Sequence, residues 1–448
     1  MELVKTGTKG GAVTRGFQLG KLGLSIAGSY LGYQVQNLLL DGAQREQRRA
    51  NFQRKASRRV REELGALKGP AMKLGQLLSI RDGNLSDEAI EELAALQMRA
   101  PAMHRSLARA QFKSSLGKYP EEVFREFDPE PIAAASLGQV HRAVTSKGEK
   151  VAVKIQYPDI RAAIENDFAL LRSATLPTRL TGHLPPALLD EIQRGILEET
   201  DYLREAANLE FFHKGLAQFP FLTIPQVFRE LTTDRVLTMS FVEGTSLAEW
   251  LKRKPSQALR DLLGARLCEV YQTQLRRLKT IHADQHPGNY LFRPDGSFSL
   301  VDFGCVKRLG FDIAELLRCY RERSWRKSEA AERRFLALAF GPDVPYQRAR
   351  RILPLSEEWA DAVFPLGDSG RDMVVSYGHN SEWDARAEEI RRRHQRQILR
   401  DKLINPEFAF FARADMGFYH ILSQLKATVN LTEIWRRVDE NHAIQPEP

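Results

Sequence analysis

The stretch that most constrains this chain runs from Ile281 to Gly304 and reads IHADQHPGNYLFRPDGSFSLVDFG. It carries three oxygen-bearing side chains at set spacings: Asp284, Asn289 five residues later, and Asp302 at the head of D-F-G. Between Asn289 and Asp302 the residues predict a β-hairpin. Tyr290 to Phe292 leads out, Pro294-Asp295-Gly296 turns, and Phe298 to Val301 returns. Pro pre-sets φ for a tight turn and Gly accepts a positive φ. A hairpin brings its ends together, so Asn289 and Asp302 are expected side by side. Such oxygen ligands suit a hard cation carrying nucleotide phosphates. A plain hairpin with surface carboxylates is the alternative.

At 448 residues the chain exceeds one ordinary core, so two lobes or domains plus an extension are expected. The net charge of +9 comes largely from Arg-rich runs at 45–61, 318–334 and 391–400. That excess points to nucleic acid or to an anionic membrane. No zinc-ligand spacing and no nucleic-acid motif is present, which disfavours nucleic acid. The three cysteines, Cys268, Cys305 and Cys319, form no disulfide framework, which fits a reducing compartment.

The first 21 residues are basic, and Leu22 to Leu40 then carries no formal charge. Ser25, Ser29, Gln34, Gln36 and Asn37 weaken this stretch as a bilayer span. Three readings stay open: a helix lying on or dipping into a membrane, a helix packed on the protein, or a targeting segment. No clear secretory cleavage site follows, so secretion is not expected. The basic run at 45–61 would favour anionic lipid by about 1 kcal/mol per cation near the surface. Leu64 to Ile80 reads as an amphipathic helix carrying Lys73, Gly75 and Gln76 as K-x-G-Q, and residues 86–128 read as helices.

Two strands are predicted next, Gly138–Val144 and Val151–Ile155, joined by a turn at Ser146-Lys147-Gly148. Strand alternation sets Ala152 and Lys154 on one face and Val151, Val153 and Ile155 on the other. Further on, Asp201 and Glu205 stand four apart, on one face of an expected helix, with Glu199 on another side. Arg235 to Gly244 reads as a strand ending in a turn, where a lobe hinge should fall; if a nucleotide binds here, Met239 would stand behind its base and the backbones of Ser240 and Val242 would face the adenine edge. Ser246 is a helix N-cap, and Leu247 to Leu278 and Glu407 to Val429 read as helical.

D-x-x-x-x-N followed by D-F-G is the catalytic-loop and metal-loop pair of protein kinases, and a strand V-A-V-K supplies their phosphate-binding lysine. Lys154, Glu205, Asp284, Asn289 and Asp302 occur here in kinase order. The flanking motifs KGPAMKLGQLLS, AAASLGQVH, VAVKIQYP, ETDYLREA and HADQHPGN resemble those of the UbiB family of atypical kinases, also called the aarF-domain or ADCK family. The resemblance covers roughly residues 16–310 well.

That resemblance implies an α+β, helix-rich, two-lobed protein-kinase-like fold with an N-terminal helical extension over the active site. With it the chain divides into an N-terminal helical segment (1–62), membrane-associated on one of the three readings above, the K-x-G-Q extension (63–128), an N-lobe (129–243), a helical C-lobe (244–435) and a tail (436–448). An Ala-rich loop of Ala133, Ala134, Ala135, Ser136 and Gly138 would replace the usual Gly-rich loop at the nucleotide. Lys73 and Gln76 would gate the site together with Glu199 and Asp201. Glu205 would pair with Lys154, Asp284 would be the catalytic acid, and Asn289 and Asp302 would hold Mg2+.

The implied activity is that of an ATP- and Mg-dependent kinase or ATPase on the cytoplasmic side of a membrane, in ubiquinone or other isoprenoid-lipid metabolism. Its implied partners are ATP, an anionic membrane surface or isoprenoid lipid, and proteins of a biosynthetic complex, with a homodimer left open. A pseudokinase scaffold and a true protein kinase are the alternatives. Gln285 stands where many relatives carry Pro, which implies a less rigid loop. His286 takes the place of the catalytic-loop Lys, and no A-P-E follows Asp302, so a peptide platform is not evident.

Overall fold

A computed structural model describes residues 103–135, 137–175, 186–363, 372–378, 389–390 and 406–440. Lys73, Gln76, Ser136 and the basic runs at 45–61 and 391–400 lie outside the described residues. The chain divides into two compact units. One takes residues up to Arg204 together with Val227–Phe241; the other takes Glu205–Gln226 and everything from Val242 on.

The first unit is built on a five-stranded antiparallel sheet. Helix α1 (Arg105–Leu116) buries Ala108 and Phe112, four apart on one face. A short turn of helix, α2 (Pro120–Val123), leads into β1 (Phe124–Phe127). This last segment is a strand and not the helix its sequence suggested. Phe124 and Phe127 gather with Phe112 at centroid distances of 5.7 and 6.4 Å, and this aromatic packing outweighs local propensity.

Strands β2 (Ala133–Ala135), β3 (Gly138–Thr145) and β4 (Lys150–Gln156) follow, and β6 (Val236–Ser240) completes the sheet in the order β1-β3-β4-β6, with β2 also on β3. Val151, Val153, Ile155 and Val236 pack with Phe112 and Phe124 on one face. Burying each such side chain stabilises by roughly 1.5–3 kcal/mol. Helices α3 (Ile160–Thr175) and α4 (Pro186–Glu198) join a second cluster around Leu137, Ile164 and Phe168.

The second unit holds most of helix α5 (Tyr202–Gly215) and a set of short strands. Strand β5 (Leu222–Thr223) runs parallel to β9 (Phe298–Leu300), which pairs antiparallel with β8 (Tyr290–Phe292). Strand β7 (Thr280–His282) pairs with β10 (Val306–Arg308). Residues 247–278 break where an uninterrupted helical run was expected: α6 (Leu247–Lys252) is followed by α7 (Gln257–Thr273), which runs on through a π-helical turn at Gln274–Leu278. Pro255 cannot continue a helix, and Ser246 and Ser256 each cap the helix that follows.

Helices α8 (Ile313–Glu322), α9 (Glu329–Phe340), α10 (Tyr346–Ala349), α11 (Leu353–Val363), α12 (Pro406–Leu425) and α13 (Leu431–Glu440) complete the unit with the small sheet β11 (Val374–Ser376) and β12 (Thr428–Asn430). The apolar run expected as one helix to Val429 ends at Leu425, where Lys426 takes φ +52° and the chain enters β12. Among the described residues no helix is long and apolar enough to cross a membrane.

Candidate active site

In the first unit, Lys154 sits mid-strand in β4, paired with Val140 on one side and Leu237 on the other. Ladders on both sides fix its backbone. Alternation alone would leave one face of β4 open, yet every residue from Val151 to Gln156 is buried, Lys154 at 4% exposure. Its ammonium lies 5.1 Å from the Tyr202 ring centre, within cation–π range.

The Ala-rich segment is a hairpin in register Ala133↔Val140, Ala134↔Gln139 and Ala135↔Gly138. Ala133 and Ala134 are exposed, whereas Gly138 is buried. A Cβ on Gly138 would fall 2.3 Å from the Ile155 carbonyl oxygen, so the glycine is required by the close approach of β4. Met239 and Ser240 end β6, paired with Ala152 and Val151. Val242 opens the next stretch of the second unit.

Asp201 differs from its sequence reading. Helix α5 begins at Tyr202, and the Asp201 carboxylate accepts the backbone N–H groups of Leu203 (3.0 Å) and Arg204 (3.3 Å). It is a helix cap and not a residue one turn before Glu205 on a helical face, because a short acid satisfies orphan N–H groups best at that position. Glu199 is buried in the turn before it.

In the second unit the hairpin forms as its turn residues dictate. Tyr290 pairs with Leu300 and Phe292 with Phe298, and Gly296 takes φ +73°. The Val301 N–H donates to the Asn289 carbonyl at 3.1 Å, which sets Asn289 beside the chain entering Asp302. The Asn289 amide donates to the Asp284 carbonyl (2.9 Å) and reaches its carboxylate at 3.5 Å. With its N–H group so engaged, Asn289 has its amide oxygen left as a ligand. Asp302 accepts the Gly304 N–H at 3.0 Å.

Glu205 and Asn208, three apart on α5, hold both backbone groups of Phe303: its N–H donates to Glu205 (3.4 Å) and its carbonyl accepts from Asn208 (3.0 Å). Phe303 is fully buried against Phe212 and His282. The His282 Nε2 donates to the Asp302 carbonyl, and burial pushes this histidine below its ordinary pKa. His286 accepts the Gly288 N–H on Nδ1 at 3.1 Å, so that nitrogen caps the loop in its unprotonated form.

The donor set suits Mg2+, which takes one or two carboxylates plus phosphate oxygens and keeps water. Among the described residues no group of three or more His, Cys, Asp or Glu side chains could hold a metal ion by themselves. The Asn289–Asp302 pair would need phosphate and water to complete a shell.

Sequence reasoning gave no role here to Tyr290, Asn208 or Arg293, and it read Gln285 as loosening a loop that its side chain in fact tethers. Gln285 and Tyr290 bridge the catalytic loop, Asn208 clamps Phe303, and Arg293 stitches the hairpin. The guanidinium of Arg293 donates to the hydroxyls of Ser297 (2.7 Å), Ser299 (2.8 Å) and Thr223 (3.1 Å) and to the carbonyls of Glu243 and Phe298 (both 3.2 Å). The signal was present for Arg293 alone: the returning strand alternates Ser297 and Ser299 with apolar residues, beside an arginine at the turn.

A lysine on a central strand of the first unit, and in the second the contact of Asn289 with Asp284 and the acid-held D-F-G, are the features of a kinase-like fold. The chain belongs to the family of the ABC1 atypical kinase-like domain, whose family model matches residues 95–322, just over half of its length. It is 35% identical over 283 residues to "Probable protein kinase UbiB" of Aeromonas hydrophila, covering 60% of this chain and 52% of that protein. It is 34% identical over 273 residues to mouse AarF domain-containing protein kinase 1, covering 59% and 51%. The chain spans about half or less of the curated relatives it matches, from 37% to 52% of their length. Among solved structures, an erythromycin complex of a Mycobacterium tuberculosis protein matches with a TM-score of 0.56 and 27% identity, covering 88% of this chain and 98% of that one.

Proposed function

We propose that the chain is an Mg-ATP-dependent atypical kinase or ATPase acting at a membrane in isoprenoid-lipid metabolism, of the kind that supports ubiquinone synthesis. The observation that carries this reading is the Asp284–Asn289 contact beside the strand end that leads into Asp302. Bound Mg-ATP supplies an activated γ-phosphoryl group whose charge the cation neutralises. Asn289 and Asp302 would hold the cation through their oxygens. Lys154 would hold the α- and β-phosphates, and Ala133–Ala135 would run along them. Asp284 would orient the attacking hydroxyl or water and take its proton. His286, occupied in capping its own loop, lends no fixed cation to the transferred group, which favours a non-peptide acceptor or water.

The charge distribution bears on the membrane. In the basic run at 318–334, Arg318, Arg321, Arg323, Arg326, Lys327, Arg333 and Arg334 each lie within 3.9 Å of a carboxylate. Pairs of this kind add little stability, but they neutralise the run's charge. The N-terminal basic segment is therefore the better lipid contact. Steady-state ATP hydrolysis by the full chain, with and without phosphatidylglycerol vesicles and Mg2+, tests the reading. Mg-dependent turnover that rises with vesicles and falls back in high salt is expected. No turnover under any of these conditions would refute it.

A further inference from the structure

We propose that Gln285 is a positioning residue for Asp284, holding the catalytic loop between two strands and against helix α12. The proposal rests on the Mg-ATP reading of the site. The loop leaves β7 at His282 and enters β8 at Tyr290. Gln285 is buried between them at 5% exposure. Its Nε2 donates to the His282 carbonyl at 2.8 Å, and its Oε1 accepts the Tyr290 hydroxyl. One amide therefore ties together the two residues that bound the loop.

A carboxamide carries an uncharged N–H donor and a separate oxygen acceptor side by side at its tip, so one side chain can serve both partners. Glutamate keeps the acceptor and loses the donor; leucine loses both. On its other side the loop meets α12. A Cβ on Gly417 would come within 2.4 Å of the Gln285 carbonyl oxygen and 3.1 Å of its Cβ, so the helix backbone lies directly on the loop. The neighbouring Asp284 carbonyl accepts both the His286 N–H (2.8 Å) and the Asn289 amide (2.9 Å). Asp284 thus has fixed backbone on both sides, and the Gln285 side chain supplies the rigidity that a proline would otherwise give.

The test measures two things on the full chain: hydrogen exchange of the loop amides, and ATP turnover. In Gln285→Leu, exchange across 284–289 should rise about tenfold or more, because two buried tethers are gone. The kcat should fall about 10- to 100-fold, the scale of a displacement near 1 Å, with the KM for ATP within about twofold. Gln285→Glu should fall between Gln285→Leu and the native protein, and Tyr290→Phe should show the smallest loss. Both carry the test if Gln285→Leu does not fold. Gly417→Ala, pushing from the helix side, should reproduce the kcat loss.

Native-like loop exchange in Gln285→Leu overturns the proposal, and so does a native kcat. An equal loss of kcat and nucleotide affinity, tracking lost stability, overturns it too. If the native chain hydrolyses no ATP, loop exchange alone decides. Faster exchange in Gln285→Leu then keeps the positioning role while the Mg-ATP reading falls.

Discussion

The two units place their site residues by different means. In the first, Lys154 is held by backbone ladders to β3 and β6, and its position follows from register. In the second, the strands around Asp284, Asn289 and Asp302 are three residues long, and side chains reaching for backbone groups set the geometry. Asn208, Gln274, Gln285, Asn289 and Arg293 all donate to or accept from the main chain there. A ladder spreads its support over many weak bonds that no single side-chain change removes. A set of side-chain tethers concentrates it, so single polar substitutions should damage the second unit more than the first.

The sharpest test of that contrast is at the site. Asp302→Asn removes the only formal charge of the Asn289–Asp302 pair. Mg-dependent nucleotide affinity should drop by about 100-fold or more, with Mg-free binding little changed. Lys154→Met should weaken binding by about tenfold whether or not Mg2+ is present, because its proposed contact is with phosphate. Titrations with and without Mg2+ separate the two, and the same Mg dependence for both variants would erase the distinction.

Next in size is the stability of the hairpin. Arg293→Met removes a guanidinium that donates to five partners, several of them buried. At about 0.5–1.5 kcal/mol per bond, partly offset by solvent, a loss of about 2–4 kcal/mol is expected. In the first unit the comparable weak point is steric. Gly138→Ala drives a methyl into the Ile155 carbonyl, and about 1–3 kcal/mol is expected. Denaturant unfolding of both variants checks the order. A larger effect at Gly138 would reverse the contrast.

The same contrast explains what the sequence could show. The β3–β4 hairpin and the Asn289–Asp302 hairpin were legible because alternation and turn chemistry are local. The break at Pro255 was also local and was passed over. Asp201 was misplaced because the helix start had been set too early, although an acid two residues after Glu199 is itself a start signal. Phe124–Phe127 joined the sheet through Phe112, a contact that local propensity does not record. The tether of Gln285, noticed in the sequence only as a departure that would loosen the loop, and the role of Asn208 were hidden for a stronger reason. Their partners are backbone groups and a hydroxyl, which leave no pattern in the side chains along the chain.

The smallest effect expected is one of pH, and it also divides the units. His141 in the first unit and His282 in the second are both fully buried, and burial pushes each below its ordinary pKa. A histidine whose folded pKa lies below its unfolded one stabilises fully above the unfolded value, about 6.5, and loses that contribution as pH falls through it. The limit is about 1.4 kcal/mol per pH unit for each ring. The two rings differ in what a proton would meet. Nδ1 of His141 donates to the Asp128 carbonyl, so its Nε2 accepts from Gln139, whose Oε1 accepts the Met103 N–H. A proton on Nε2 faces a donor that can rotate away at the expense of the Met103 bond. A proton on Nδ1 of His282 meets no hydrogen-bond partner among the described residues. Between pH 7.5 and 5.5, amide protection in β7 and β10 should therefore fall more steeply than in β3 and β4. In the first unit the Met103 amide should be the first to open. Equal slopes in the two units, measured by hydrogen exchange after correction for the intrinsic pH dependence, would show that Gln139 offers no relief.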